Sequence, residues 1–146
     1  MTERAETVDV KEAGRGKYAV EISVGPNTFL ADEPTEVGGN DLGPRPHEVL
    51  LAALGACTAM TLRMYADRKQ IPLKNVHVHL SHHKLSAADC TDCVSKDGQV
   101  EEIFREITLE GDLDDATRAR LLEIADKCPV HKTLTGEIKI RSKLIA

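Results

Sequence analysis

The pattern of hydrophobic and polar positions begins with short alternating runs that are typical of β-strands. Residues 17–24 alternate between apolar and polar side chains, a Gly-Pro-Asn turn follows, and residues 28–32 resume the apolar run. This arrangement predicts a β-hairpin in the first third of the chain. The polar residues 1–16 contain the short apolar run 8–10 and are predicted to form either a frayed arm or an edge strand.

The central feature of the sequence is a long apolar segment, which is predicted to be a helix over residues 46–70. Loop-forming residues precede it, and Pro46 suits the first turn of a helix. Between Val49 and Met64 the residues are apolar almost all round, whereas a surface helix has one apolar stripe. We therefore expect a buried helix. Because one small sheet covers only one side of it, we also predict a homodimer in which a second copy covers the other side.

A second alternating region is predicted to form a longer hairpin. Residues 75–83 alternate between aliphatic residues and polar residues that include His77 and His79, which predicts a strand with one face in water. Residues 101–111 alternate in the same way and are predicted to be its partner strand. The polar segment 84–99 between them is predicted to be a long, mobile loop.

Two short helices and a final strand are predicted to complete the chain. Asp112 is predicted to cap a helix over residues 113–127. The apolar stripe of this helix comprises Leu121, Leu122, Ile124 and Ala125. A further helix starts at Cys128 and Pro129, and residues 136–145 close the chain as a strand. The resulting order, β-β-(β)-α-β-β-α-α-β, predicts one α+β domain over residues 1–146.

Composition and charge restrict the possible partners. Hydrophobic residues make up 41% of the chain, which is enough for a core. The net charge of −5 and the low aromatic content of 3% argue against nucleic acid, which needs a basic face or aromatic stacking. The N-terminal segment has no apolar run of signal-peptide length, and no stretch reaches the roughly 18 apolar residues of a membrane span. We therefore expect a cytoplasmic protein with no membrane partner.

The four cysteines are the main candidates for chemistry. In a cytoplasmic chain they indicate redox activity, metal binding or burial more than a disulfide framework. Cys128 precedes Pro129 at a predicted helix start, where unpaired backbone N–H groups favour a thiolate, and His131 adds an imidazole. Cys128 is therefore a candidate reactive thiol, although it could simply cap the turn. Cys57 lies in the apolar helix and, taken alone, is more typical of a small core residue.

A reactive Cys57 needs a nearby cation, because apolar surroundings favour the protonated thiol. The residues alone leave Arg15, Arg45 and Arg63 as candidates. Glu48 lies nine positions before Cys57, too far along one helix for direct contact. It could orient an arginine, reach the site of a partner subunit, or act only as a negative charge at the helix start.

Cys90 and Cys93 form a separate Cys-Thr-Asp-Cys sequence in the predicted loop. With histidines such as His82 and His83 they could imitate a zinc site. They could also be a redox-active thiol pair or an incidental loop pair. Since one such motif without a second is weak evidence for metal, no metal or cofactor is predicted.

Two cysteine motifs carry a resemblance to a known family. Residues 31–66, which contain GPRPHEVLLAALGACTAM, and residues 110–134, which contain ADKCPVHKTL, resemble the OsmC/Ohr family of osmotically induced and organic hydroperoxide resistance proteins. The resemblance runs from about residue 15 to the C-terminus. The hydroperoxide resistance branch has a glutamate directly after the helix-initial proline, where this chain has His47 and then Glu48.

The resemblance implies two intertwined subunits, with long central helices wrapped by antiparallel sheets, and a thiol-dependent peroxidase acting on organic hydroperoxides or hydrogen peroxide. It implies that Cys57 is the peroxidatic cysteine and Cys128 the resolving cysteine, with Glu48 and, by a looser match, Arg15 as further catalytic residues. A dithiol or small thiol would reduce the resulting disulfide. For these roles the resemblance overrides the greater reactivity expected of Cys128 from its helix start. The alternatives are a redox-sensing or thiol-binding protein with little turnover, and a metal-binding protein that uses the two loop cysteines.

Overall fold

The N-terminal part of the chain forms a small antiparallel sheet. The structure, a computed structural model, describes residues 5–146 as two compact units that divide between residues 50 and 51. In the first unit the strands β1 (Asp9–Glu12), β2 (Val20–Val24) and β3 (Asn27–Ala31) pair in that order. The predicted hairpin is confirmed, and the arm forms the edge strand over residues 9–12; its residues 1–4 lie outside the described part of the chain.

A buried carboxylate organises the loop that follows β3. Asp32 is 3% exposed and accepts hydrogen bonds from the backbone N–H groups of Glu33, Asn40 and Leu42 at 2.7, 3.2 and 3.1 Å. Desolvation raises the pKa of the Asp32 carboxyl, but the hydrogen bonds from Leu42, Glu33 and Asn40 together outweigh it, so the pKa is lowered overall. The loop therefore has a fixed course despite its many glycines and prolines.

The second unit begins within the long helix α1 (Pro46–Arg68) and continues with strands β4 (Leu73–Ser86) and β5 (Gln99–Gly111). The helices α2 (Asp115–Ala125) and α3 (Pro129–Thr135) complete it. The predicted helix is confirmed and ends two residues earlier than expected, with Gln70 in the left-handed conformation at φ 55°. The core of this unit consists of Leu62, Ala66, Leu73, Leu121, Ile124 and Ala125.

Helix α1 is less buried than its sequence indicates. Only Leu54, Thr58, Leu62 and Ala66 are buried, at intervals of four residues, as in a helix with one packed stripe. Met60 and Met64 are 60% and 67% exposed. The single chain therefore supplies packing partners for one stripe only, as expected when one small sheet covers one side, and burial of the other side by a second copy stays a prediction.

The expectation that no segment matches a membrane span was wrong. By length and composition, Pro46–Arg68 is long and apolar enough to cross a membrane, although the core helix of a soluble protein passes the same test.

The predicted hairpin of β4 and β5 is confirmed, and it is longer than expected. The two strands pair antiparallel from Leu73 opposite Gly111 to Ser86 opposite Gln99. His77 and His79 lie on its exposed face, as predicted. Because the strands extend so far, the predicted loop over residues 84–99 shrinks to the segment between them.

Two details near the C-terminus differ from the prediction. The cap of α2 is Asp114, whose side chain accepts a hydrogen bond from the N–H of Thr117 at 2.8 Å; Asp112 lies too early because the helix begins later than predicted. Leu122 is 61% exposed and does not belong to the buried stripe. That stripe consists of Leu121, Ile124 and Ala125.

The predicted final strand is absent. Residues 137–146 have neither helix nor strand, and the sheets of the described chain contain only β1–β3 and β4–β5. A strand needs a neighbour to accept and donate its backbone hydrogen bonds, which these residues lack within one chain. Their apolar side chains are exposed at Ile138, Ile140, Leu144 and Ile145.

Candidate active site

The structure brings the sulfurs of Cys57 and Cys128 to the start of α3. The N–H of Val130 donates to Cys57 Sγ at 3.5 Å, and the N–H of His131 donates to Cys128 Sγ at 3.3 Å. The first-turn residue Pro129 has no N–H, so these are the first two donors of the helix, and each serves one sulfur. Both cysteines are free; Cys57 is half-buried and Cys128 is 0% exposed. The pair thus combines one accessible thiol with one that is fully enclosed.

Thr58, the neighbour of Cys57 on α1, links this pair to the rest of the cluster. Its hydroxyl is buried and donates to the carbonyl oxygen of Leu54 at 2.7 Å, while it accepts from Arg105 Nη1 at 2.9 Å. Thr58 Oγ1 also lies 3.9 Å from Cys128 Sγ. Since the single hydroxyl proton is used on Leu54, the Cys128 thiol is the donor in this third contact.

Arg105 is the functional candidate that the sequence analysis missed. It lies on β5, with its side chain only 12% exposed, and it donates to Thr58 from Nη1 and to Asp126 from Nη2 at 2.8 Å. A weaker contact reaches the carbonyl oxygen of Ala125 at 3.4 Å. The signal was available, because strict alternation places Arg105 on the same inward face as Ile103 and Ile107. A charged residue on the apolar face of a strand needs a partner in the interior.

His131 completes the polar cluster. Its Nδ1 lies 3.4 Å from Arg105 Nη2 and 3.9 Å from Asp126 Oδ1. A guanidinium group can only donate, so His131 Nδ1 is the acceptor and the proton of a neutral ring is on Nε2. Arg105 therefore fixes the orientation of a hydroxyl, a carboxylate and an imidazole around the enclosed thiol.

Of the three arginines that the sequence offered, two have other partners. Arg63 donates to the carbonyl oxygen of Leu73 at 2.7 Å and lies 3.8 Å from Asp67, so it fastens α1 to β4. Arg45 lies 3.5 Å from Glu33 within the N-terminal unit. The contacts of Arg63 do not include a thiol.

Arg15 and Glu48 belong to the N-terminal unit, and their catalytic assignment stays a prediction. The carboxylate of Glu48 accepts a hydrogen bond from the backbone N–H of Arg45 at 2.8 Å. This contact is half of a capping box at the start of α1, which agrees with the structural alternative for Glu48. Arg15 lies in the bend between β1 and β2.

Cys90 and Cys93 are joined by a disulfide in the segment between β4 and β5. Together with Asp92, their ligand atoms lie within 4.8 Å of one another, which is close enough to hold a metal ion if the cysteines were reduced. The nearby His82 and His83 pair instead with Glu101 and Glu102 across the hairpin, at 2.6 and 2.7 Å. The histidines therefore have partners other than the cysteine pair.

The fold and the paired thiols are those of a two-cysteine α+β protein, and comparison of the sequence with protein families identifies which family it belongs to. The family described as OsmC-like protein matches residues 38–143, which is most of the chain, and this protein belongs to that family. No curated protein sequence matches the chain. The resemblance seen in the two cysteine motifs is thereby confirmed.

Solved structures of the same fold agree with this assignment. An OsmC-like protein from Mycoplasma pneumoniae has a TM-score of 0.72 and 18% identity, covering 92% of this chain and 90% of that chain. A protein from Psychrobacter arcticus described as a putative osmotic stress induced and detoxification response protein has a TM-score of 0.69 and 19% identity, covering 90% of both chains. An organic hydroperoxide resistance protein OsmC from Legionella pneumophila has a TM-score of 0.66 and 18% identity, covering 93% of both chains. These similarities confirm the predicted α+β fold.

Proposed function

We propose that this protein is a thiol-dependent peroxidase that reduces organic hydroperoxides or hydrogen peroxide with Cys57 and Cys128. The observation that carries the proposal is the placement of both sulfurs on consecutive N–H donors of α3, with one sulfur accessible and the other enclosed. The Legionella relative is named as a hydroperoxide resistance protein, and this supports the choice of substrate class.

Exposure supports Cys57 as the attacking thiol. A peroxide must reach the sulfur that attacks it, and Cys57 is half-buried whereas Cys128 is 0% exposed. The Cys57 thiolate attacks one oxygen of the O–O bond, which breaks, and the other oxygen leaves with the electron pair and takes a proton. The products are a Cys57 sulfenic acid and an alcohol, or water in the case of hydrogen peroxide.

The second step joins the two cysteines. The sulfur of Cys128 attacks the sulfur of the Cys57 sulfenic acid, the S–O bond breaks, and water leaves with the proton of the Cys128 thiol. A dithiol then returns two electrons and two protons by thiol–disulfide exchange, which restores both thiols. A small thiol could do the same with two molecules.

Arg105 acts in this scheme as a positioning residue. It holds the hydroxyl of Thr58 at 2.9 Å, and that hydroxyl is the group that contacts Cys128 Sγ. It also contacts His131, whose backbone N–H binds the same sulfur. We infer that Arg105 keeps Cys128 directed for attack on the oxidised Cys57, whereas Arg15 and Glu48 remain the candidates from the family for the first step.

The assembly we propose is a homodimer in the cytoplasm, without nucleic acid or membrane as a partner. Met60 and Met64 are exposed on α1 and border a groove of about 320 Å³ with Ala59, Arg63, Asn75 and Val76. Exposed apolar side chains in such a group are typical of a protein interface. A second chain on this face would account for a helix that is more apolar than one chain can bury.

The peroxidase proposal is tested by measuring the consumption of dithiothreitol with cumene hydroperoxide and, separately, with hydrogen peroxide. We expect peroxide-dependent consumption by the wild type and none by Cys57→Ser. Cys128→Ser should still form a sulfenic acid, which a dimedone probe would trap, but no bond between residues 57 and 128.

The matched control is the double variant Cys90→Ser/Cys93→Ser, which removes two other sulfurs and should keep the initial rate of the peroxide reaction. Activity that persists in Cys57→Ser, or a wild type that consumes no dithiol when peroxide is added, would overturn the assignment. A wild type that forms the disulfide once without further turnover would identify the redox-sensing alternative.

A further inference from the structure

The disulfide between Cys90 and Cys93 lies on a loop whose base is well anchored. The Cα atoms of the two cysteines are 5.5 Å apart, and both residues are half-buried. At the base of the loop Ala87 is 1% exposed, and its N–H donates to the carbonyl oxygen of Gly98 at 2.9 Å. The N–H of Cys90 donates to the carbonyl oxygen of Ala87 at 3.2 Å. The disulfide is therefore held at a defined place and remains accessible from solvent.

Within one chain this disulfide is remote from Cys57 and Cys128. Arg105, which belongs to the cluster at the two free thiols, pairs with Leu80, whereas the hairpin ends where Ser86 pairs with Gln99. Along each strand, six residues separate the pair Leu80 and Arg105 from the pair Ser86 and Gln99, which corresponds to about 20 Å at about 3.4 Å per residue. The loop disulfide cannot exchange directly with the other pair in the same chain.

We propose that the Cys90–Cys93 disulfide is a second redox site of this protein, which accepts electrons from an external dithiol by thiol–disulfide exchange. A short disulfide loop at the tip of a hairpin can be approached by another molecule, and the adjacent Val94 is 97% exposed. This inference concerns different sulfurs from the proposed peroxidase reaction and does not depend on it.

The charges around the disulfide predict which sulfur is attacked. Asp92 Oδ1 lies 3.2 Å from Cys90 Sγ, whereas Lys96 Nζ donates to the carbonyl oxygen of Cys93 at 3.3 Å. In the exchange reaction negative charge accumulates on the attacking and leaving sulfurs more than on the central one. A carboxylate beside Cys90 Sγ disfavours Cys90 as the leaving thiolate, which leaves Cys93 in that role; the ammonium group of Lys96 is held at the backbone of Cys93.

The reaction then proceeds in two balanced steps. A thiolate of the dithiol attacks Cys90 Sγ, the bond between the two cysteines breaks, and Cys93 leaves as a thiolate that takes a proton. The second thiolate of the dithiol attacks its own first sulfur in the mixed disulfide, and Cys90 leaves and takes a proton. The dithiol loses two electrons and two protons and becomes a disulfide, while the loop gains two thiols.

The experiment follows the thiols of the purified full chain, without peroxide, after addition of dithiothreitol. Samples are quenched with acid, alkylated and digested with trypsin. Cleavage after Lys84 and Lys96 places both loop cysteines on one peptide, residues 85–96, and cleavage after Lys127 separates Cys128. In a variant without Lys96 the peptide extends to Arg105 and contains no further cysteine. Mass spectrometry then gives the reduction rate of the loop disulfide alone.

We expect the loop disulfide to be reduced completely and to re-form when oxidised dithiothreitol is in excess. Asp92→Asn should raise the rate constant of reduction about threefold to tenfold, because it removes a negative charge beside the reacting sulfur. Asp97→Asn removes the same charge elsewhere in the loop and is the matched control, with an expected change below about twofold. Lys96→Gln should slow the reaction.

Three results would overturn the proposal. The loop cysteines could remain oxidised in a dithiothreitol excess that reduces free cystine, which would show a structural disulfide. They could be isolated as two free thiols from an oxidising buffer, which would show that the disulfide does not form. They could also be protected from alkylation until a chelator is added, which would show a metal site. Because the measurement uses no peroxide, a protein without peroxidase activity could still pass it, and an active peroxidase could fail it.

Discussion

Replacing Arg105 gives the strongest test of how the thiol cluster is built. The variant Arg105→Met removes the hydrogen bond that Arg105 donates to the hydroxyl of Thr58, a residue that is 0% exposed. A hydrogen bond from a charged donor contributes about 1.5–3 kcal/mol to stability. The ion pair with Asp126 adds less than about 1 kcal/mol, because that carboxylate is 65% exposed. We therefore expect the free energy of unfolding to fall by about 2–4 kcal/mol, which corresponds to roughly 5–15 °C in Tm.

The assay combines urea unfolding with the two chemical steps of the proposed reaction. Arg105→Met should still form the Cys57 sulfenic acid, but it should form the bond to Cys128 more slowly, so that a dimedone probe traps more of the sulfenic acid. Arg105→Lys keeps the charge without the forked donors, and we expect intermediate values. The matched control is Arg118→Met, which loses hydrogen bonds to the carbonyl oxygens of Leu109 and Leu113 on an exposed part of the unit.

The reasoning would be refuted if the free energy of unfolding of Arg105→Met differed from that of the wild type by less than about 0.5 kcal/mol, which is typical of ordinary surface substitutions. If the variant were less stable but its disulfide formed at the wild-type rate, Arg105 would be a structural residue only. The ratio of sulfenic acid to disulfide separates these outcomes, because a general loss of stability does not change it in a chain that remains folded.

Three further predictions concern acid stability, helix capping and assembly. Because the pKa of Asp32 is lowered in the folded chain, the stability that its carboxylate provides is present above the unfolded value of about 3.8 and is lost as the pH falls through the folded pKa. The protection factors of the amides that bind this carboxylate, which compare each measured exchange rate with that of an unstructured chain at the same pH, should therefore fall in acid, and Asp32→Asn should remove that dependence; equal pH profiles of the protection factors would contradict it. Asp114→Ala should lower the urea midpoint more than Asp112→Ala, since only Asp114 caps α2, and equal midpoints would disprove this role. Light scattering should give about twice the chain mass of 16.0 kDa for the wild type and a smaller mass for Met64→Glu. The control Leu122→Glu changes a similarly exposed apolar residue of α2 and should keep the mass of the wild type; a monomeric wild type would contradict the homodimer.

The elements that could be predicted from the sequence are those determined by local pattern. The hairpins follow from alternation, α1 from its apolar run, and the start of α3 from Cys128 and Pro129, because each signal lies within a few adjacent residues. The prediction of a final strand over residues 136–145 was wrong because it depends on residues that are distant in the sequence. Its alternation is real, but a strand forms only beside another strand, and the sequence does not reveal whether one is available.

The candidate site was predicted only in part for a related reason. The motifs around Cys57 and Cys128 identify the two sulfurs, but the contacts between them depend on α1 and α3 meeting. Arg105 is 23 positions before Cys128 and belongs to no motif with it. Only its place among the inward residues of β5 indicated a buried charge, and its partners Thr58, Asp126 and His131 could be found only in the structure.

The contact between Cys128 Sγ and the N–H of His131 has a consequence for the energetics of oxidation. The same sulfur is the cap of α3 and the proposed partner of Cys57, so a sulfur drawn into a disulfide can no longer cap the helix in the same way. If the cap contributes about 1 kcal/mol, its loss shifts the equilibrium about fivefold towards the thiols. The start of α3 would then oppose formation of the disulfide slightly and favour its reduction, because reduction restores the helix cap.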